Sequence, residues 1–248
     1  MSKIPKSHPR YASLMTREKI VKGVQIGVTS QHGLIAQGRG EAWDYLFGEE
    51  TNDFAFKSIK AAAAMLLLAK NPVISVNGNV AALVAEDIVE LGRIIPAKIE
   101  VNIFHNSKKR EFAIKKTLLE VGANKVLMPS KKYQIKFIDH NRKYVNKDGI
   151  FSADVIFVPL EDGDRCQALI KNGKKVITVD LNPLSRTAKS ASITIVDNII
   201  RAISEIIKEI KLLKNKTDKQ LIDILSNYDN KDILSRARDK IIKNLRNS

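Results

Sequence analysis

Between residues 71 and 200 the chain alternates short apolar runs with stretches of helical periodicity. The runs cover 73–76 (VISV), 99–104 (IEVNIF), 125–128 (KVLM), 154–159 (DVIFVP), 175–180 (KVITVD) and 193–197 (ITIVD). They are continuous rather than alternating, as expected of strands covered on both faces. Helical stretches over 80–92, 108–121 and 164–172 fill several of the gaps. Strand and helix in succession predict a mostly parallel sheet between two helical layers. The fold class is therefore α/β: a Rossmann-like three-layer parallel sheet with an N-terminal helical segment and C-terminal helices.

The flanks read as helical. Leu14, Ile20, Val21 and Val24 recur at roughly helical spacing, and "NDFAFKSIKAAAAMLLLAKNP" runs from an Asn/Asp cap to Pro72 as one buried helix. Between them, 29–51 is rich in glycine and polar groups and reads as a loop leading into a short helix. After the core, Ile199, Ile203, Ile206, Ile207 and Ile210 form one apolar stripe. Leu234, Ala237, Ile241 and Leu245 form another, beyond the polar "KNKTDK". The basic stretch 129–153 reads as a loop or an insertion with little regular structure. Three parts result: a helical segment 1–70 packed on the core, the core 71–213, and a helical tail 214–248.

Composition narrows the class. A chain of 248 residues, 44% hydrophobic, can bury a sizeable core. Its longest apolar run, 61–69, falls short of the ~18 residues that cross a bilayer. The start "MSKIPKSHPR" has no apolar signal core. Cys166 is the only cysteine, which excludes an intrachain disulfide and a cysteine-based zinc site. A reducing, cytoplasmic location is expected, with no membrane partner. The net charge of +15 fits either a phosphate-rich partner or a surface dressed with lysine. Basic residues exceed acidic ones most in 1–22, 107–148 and 208–248. Nucleic-acid binding is the rival function, but aromatic residues make up only 6% and do not cluster with the lysines.

Ligands of open parallel sheets sit beyond the carboxyl ends of the strands. The first such position holds Asn77, Gly78 and Asn79, suited to an anion at a helix start or to an ordinary capped turn. The second holds His105, Asn106 and Ser107 and then Lys108, Lys109 and Arg110. After 154–159, Glu161, Asp162 and Asp164 suit Mg²⁺, a substrate amine or simple helix capping. Asp180 can accept from ribose hydroxyls, and Arg186 can grip a phosphate. Asn198 can read an adenine edge or cap the next helix. No GxGxxG fingerprint, Walker lysine or Ser/His/Asp elbow is present, and the four histidines lack metal-ligand spacing. No metal site is expected within the chain, and no residue is singled out as catalytic.

Taken together and in order, "IPKSHPRYASLMTREKIVKGVQIGVTSQHGLIAQGRGEAWDYLFGE", "VNGNVAAL", "DGIFSADVIFVPLEDGDR" and "DLNPLSRTAKSASITIVDNIIRA" closely resemble archaeal phosphopantothenate synthetase. The resemblance implies a homodimer that joins 4-phosphopantoate to β-alanine, using ATP with Mg²⁺ and releasing AMP and pyrophosphate through a phosphopantoyl-adenylate. It implies ATP contacts at Arg17, Arg39, Asp180, Leu181, Asn182, Arg186, Thr187, Asn198 and Ile199. The second substrate is expected near Asn77, Gly78, Asn79, His105 and Arg110. Gln37 stands where histidine is usual in that family and Trp43 where phenylalanine is usual, which puts an acid–base role at position 37 in doubt. Residues 129–145 and those after about 213 match poorly.

Overall fold

A computed structural model describes residues 4–247, Asn106 and Glu161 excepted. Helices α1 (Tyr11–Gln25), α2 (Gln31–Phe47) and α3 (Asp53–Leu68) precede the sheet. The first half of the core runs β1 (Val73–Val76), α4 (Gly78–Ile94), β2 (Lys98–Val101), α5 (Lys108–Glu120) and β3 (Val126–Leu127). The second runs β6 (Val155–Val158), α6 (Gly163–Lys171), β7 (Lys175–Val179), the short α7 (Arg186–Ser190) and β8 (Ile193–Ile195). Between the halves lies a two-stranded antiparallel ribbon, β4 (Ser130–Gln134) with β5 (Tyr144–Val145). Helices α8 (Ile199–Leu213), α9 (Asp218–Ser226) and α10 (Asn230–Arg246) close the chain.

The six core strands are parallel in the order β3-β2-β1-β6-β7-β8. The winding reverses between β1 and β6, which is where a doubly wound sheet opens a crevice. Strand residues alternate between two cores. Ile74, Val76, Ile99, Val101, Phe157 and Ile177 join α3, α4, α5 and α8 on one face. Val73, Ile156, Val158 and Val176 join α6 and the segment between β3 and β6 on the other. Helix α3 is enclosed by α8, α9, α10 and β8, and Ala61 to Ala64 are each at most 1% exposed. Their small side chains permit that close approach. The α8 stripe is buried along its length, whereas the α10 stripe fades to an exposed Leu245.

All six expected strands form, as does the buried helix before Pro72. Two expectations are corrected, and one short helix is added. Residues 31–47 are one helix of 17 residues, not a loop and a short helix. Interior glycine costs about 1 kcal/mol, but at Gly33 the contact requires it: a Cβ would lie 2.3 Å from both Asn79 Oδ1 and Thr29 Oγ1. The link between β7 and β8 contains α7, capped by Ser185 Oγ accepting from the Ala188 amide at 2.9 Å. The stretch 129–153 holds the ribbon, a 3₁₀ turn and a π-type turn at Lys147–Phe151. Its order comes from burial of Ile135, Ile138, Val145 and Ile150, which a polar-rich composition hides.

Candidate functional site

Two clefts meet at the reversal of the sheet. The first, about 380 Å³, lies between α2 and the carboxyl ends of β1, β6, β7 and β8. Helix α2 contributes Ala36, Gln37, Arg39, Gly40 and Trp43, all on one side of its circumference. Asn77 Oδ1 accepts from the Val80 amide at 3.1 Å and so caps α4, while its Nδ2 donates to the Leu160 carbonyl at 2.9 Å. That side chain ties the end of β1 to the end of β6. After β7, Asp180 accepts from the Asn182 amide at 2.9 Å and from the Ser185 hydroxyl. Burial pushes the Asp180 carboxyl up, against the pull of these two bonds and of Arg39 nearby. Leu181, Asn182, Thr187 and Ile199 complete this end.

After β8, Asn198 Oδ1 accepts from the Ile200 amide at 3.2 Å. The capping role is thus present. One of its amide hydrogens is directed to Asp44 at 2.9 Å. Asp44 belongs to a clamp that holds α2 over the cleft. Arg201 donates to Asp44 Oδ1 at 2.5 Å and to Asp197 Oδ1 at 2.6 Å, and Thr51 donates to Asp197 at 2.7 Å. Burial raises the Asp197 carboxyl, and Arg201 opposes the rise.

The second cleft, about 280 Å³, shares Ala36, Asn77, Asn79 and Asp162 with the first. It extends past Gly78 to His32, His105 and Arg110. The five residues expected for the second substrate therefore come together in it. Asn79 is committed internally: its Oδ1 accepts from Thr29 and its Nδ2 donates to the Gly33 carbonyl at 3.0 Å. Ser107 caps α5 through the Arg110 amide at 3.3 Å. Among the described residues the Arg110 and Arg39 guanidiniums make no internal hydrogen bond.

Seven of the nine expected nucleotide residues line the first cleft, and Arg186 and Arg17 do not. Arg186 lies at its edge, where a Cβ on Gly163 would meet Arg186 Cβ at 2.5 Å. Arg17 lies on α1 behind α2. Its Nε donates to both oxygens of Glu41 and its Nη2 to Tyr45. Burial alone would raise Glu41, but Arg17, Ser13 and Tyr45 hold it at about 2. Glu41 and Tyr45 project roughly opposite Arg39 and Gly40 on α2, at 100° per residue.

Among the other chemical candidates, Glu161 and Asn106 lie outside the described residues. Asp162 pairs with Arg142, and Asp164 bonds His140 at 3.0 Å. Among the described residues no group of three or more His, Cys, Asp or Glu is arranged to hold a metal. Sequence reasoning missed Arg142, which lines the second cleft, and Arg201. It also passed over Glu100, whose signal was a charge inside an otherwise apolar strand.

Comparison with known proteins agrees with this architecture. A family model described as phosphopantothenate/pantothenate synthetase matches residues 54–244. Among relatives named 4-phosphopantoate–β-alanine ligase, that of Methanosarcina mazei is 49% identical over 99% of this chain and 97% of its own length. The Thermococcus onnurineus relative is 50% identical over 98% of this chain and 95% of its own. The Methanospirillum hungatei relative is 52% identical over 82% of this chain and 83% of its own. With two clefts meeting at a Rossmann-like switch point and similarity along nearly its whole length, the chain belongs to the phosphopantothenate/pantothenate synthetase family.

Proposed function

We propose that the protein is a 4-phosphopantoate–β-alanine ligase of coenzyme A biosynthesis, working as a cytoplasmic homodimer. The observation that carries the proposal is the junction of two clefts at Asn77, Asn79 and Asp162. A condensation that activates a carboxylate with a nucleotide needs both molecules to meet at one point. The first cleft is assigned to ATP. Asp180, Leu181, Asn182, Asn198 and Ile199 face the nucleoside, and Arg39, Thr187 and Arg186 face the phosphates. Trp43 adds an aromatic surface for the base. Gln37 has no titratable proton, so its part is hydrogen bonding. Mg²⁺ arrives with the ATP phosphates rather than on a site built into the chain.

The second cleft is assigned to 4-phosphopantoate. Arg110, His105 and the α4 N-terminus at Gly78 are suited to its anionic groups. Its carboxylate oxygen attacks the α-phosphorus and the bond to pyrophosphate breaks. The amine of β-alanine, having lost a proton to solvent, then attacks the acyl carbon. The bond to AMP breaks as the nitrogen sheds a second proton. Arg17 stands outside the cleft of its own chain, so its expected nucleotide contact belongs to the cleft of the partner chain. The test is to supply ATP, Mg²⁺, 4-phosphopantoate and β-alanine and identify the nucleotide product. AMP is expected. ADP would refute the AMP-forming ligase in favour of another nucleotide-dependent enzyme, and no turnover together with salt-sensitive binding of RNA or DNA would favour nucleic-acid binding.

A further inference from the structure

The segment between β3 and β6 fills the place of a covering helix. Right-handed crossovers put α4 and α5 on one face of β1, β2 and β3, and residues 147–151 pack over β1 and β2 on the other. Its attachment is concentrated on β2. Glu100, 0% exposed, accepts from the Asn146 amide at 2.8 Å and from the Ile150 amide at 2.7 Å. Gly149 packs so closely that a Cβ there would lie 2.0 Å from Glu100 Oε2. Two residues on, and so on the same face of the chain, Asn102 donates to the carbonyls of Arg142 at 3.3 Å and Tyr144 at 3.1 Å. Asn102 Oδ1 accepts from Arg142 Nε at 3.0 Å.

Arg142, 3% exposed, also pairs with Asp162 beyond β6. Because β1 lies between β2 and β6, this guanidinium spans the carboxyl end of β1, where the two clefts meet. A loop that only covered a sheet would need apolar side chains alone. A buried carboxyl is costly unless it is hydrogen-bonded, and the two bonds of Glu100 fix the turn that follows Arg142.

We propose that this insertion serves the second cleft through Arg142, the one of its residues that lines it, and that Glu100 and Asn102 are positioning residues that hold Arg142 where it sets the affinity for the anionic substrate. The proposal rests on the ligase reading, which places 4-phosphopantoate in this cleft. Glu100→Gln keeps the shape but turns one acceptor toward an amide as a donor. Arg142→Lys keeps the charge and loses the fork, and it serves if the first variant does not fold. With each substrate varied in turn, both variants are expected to raise KM for 4-phosphopantoate about 10-fold or more and KM for ATP less than about 2-fold. Hydrogen exchange of amides 141–150 should quicken in Glu100→Gln while that of 31–47 is unchanged. Equal rises in both KM values, or an unchanged phosphopantoate KM despite faster exchange, would overturn the proposal. A wild-type protein that makes no AMP overturns the ligase reading instead, and the exchange data still decide whether Glu100 holds residues 141–150 in place.

Discussion

Glu100 shows how one side chain couples folding to pH. Burial raises its carboxyl to about 7, although the amides of Ile150 and Asn146 and the Arg165 charge pull the other way. The unfolded chain ionises nearer the ordinary value of 4.5. Between these values the native state binds the extra proton. Its stabilising share is therefore full below about 4.5 and is lost as pH rises through about 7. The stability of wild type minus that of Glu100→Gln should fall by on the order of 2 kcal/mol from pH 5 to pH 8. Urea unfolding at several pH values measures it, and a constant difference would show that Glu100 does not titrate in this window. At this scale the sequence displayed the charge within "IEVNIF" but not its partners. The Asn146 and Ile150 amides lie more than 40 positions away along the chain.

Among the elements, α2 decides the shape of the nucleotide cleft, and Arg201 decides where α2 sits. Its partners Asp44 and Asp197 have side chains only 5% and 0% exposed. Removing the cation strands two buried carboxylates, which typically costs about 3–5 kcal/mol. Arg201→Met should destabilise by that order and raise KM for ATP more than KM for 4-phosphopantoate. Arg201→Lys should recover part of both losses. Parallel shifts in the two KM values would reduce the clamp to a purely structural role. The helix itself was hidden in the sequence because Gly33, Gly38 and Gly40 read as loop punctuation. Gly33 is instead a contact point for the Thr29–Asn79 pair, and Gly40 leaves Leu181 3.7 Å from where its Cβ would be.

For the whole molecule, the terminal helices belong to the same packed unit as the sheet. Leu221, Ile233, Leu234 and Ala237 enter the main core. Tyr228 and Asn230 accept from the amide of Thr194 on the edge strand β8, which blunts that edge. No helix of the described residues is long and apolar enough to cross a membrane. The placement of Arg17 behind α2 makes the proposed homodimer testable. If Arg39 serves the cleft of its own chain and Arg17 that of the partner, Arg17→Ala and Arg39→Ala are each nearly inactive. Mixing the two after exchange of subunits should then restore part of the activity, because each mixed dimer holds one complete cleft. Failure to regain activity, with subunit exchange verified, would place both arginines in the same cleft.

The order of strands and helices was legible because burial on both faces forces continuous apolar runs, and 73–76, 154–159 and 193–197 carried that mark without ambiguity. The chemistry at strand ends was legible too, since Asp180, Asn182 and Asn198 follow apolar runs directly. Local pattern thus determined the α/β class and the end of the sheet at which ligands gather. Tertiary structure alone decided which strand ends become neighbours, because the order β2-β1-β6 comes from the reversal of winding and not from chain order. That reversal brings Asn77 to Leu160 and Arg142 to Asp162, while the packing of α1 on the Glu41 and Tyr45 side of α2 separates Arg17 from Arg39. Such juxtapositions depend on contacts among residues distant in the chain, and hydrophobic periodicity carries no record of them.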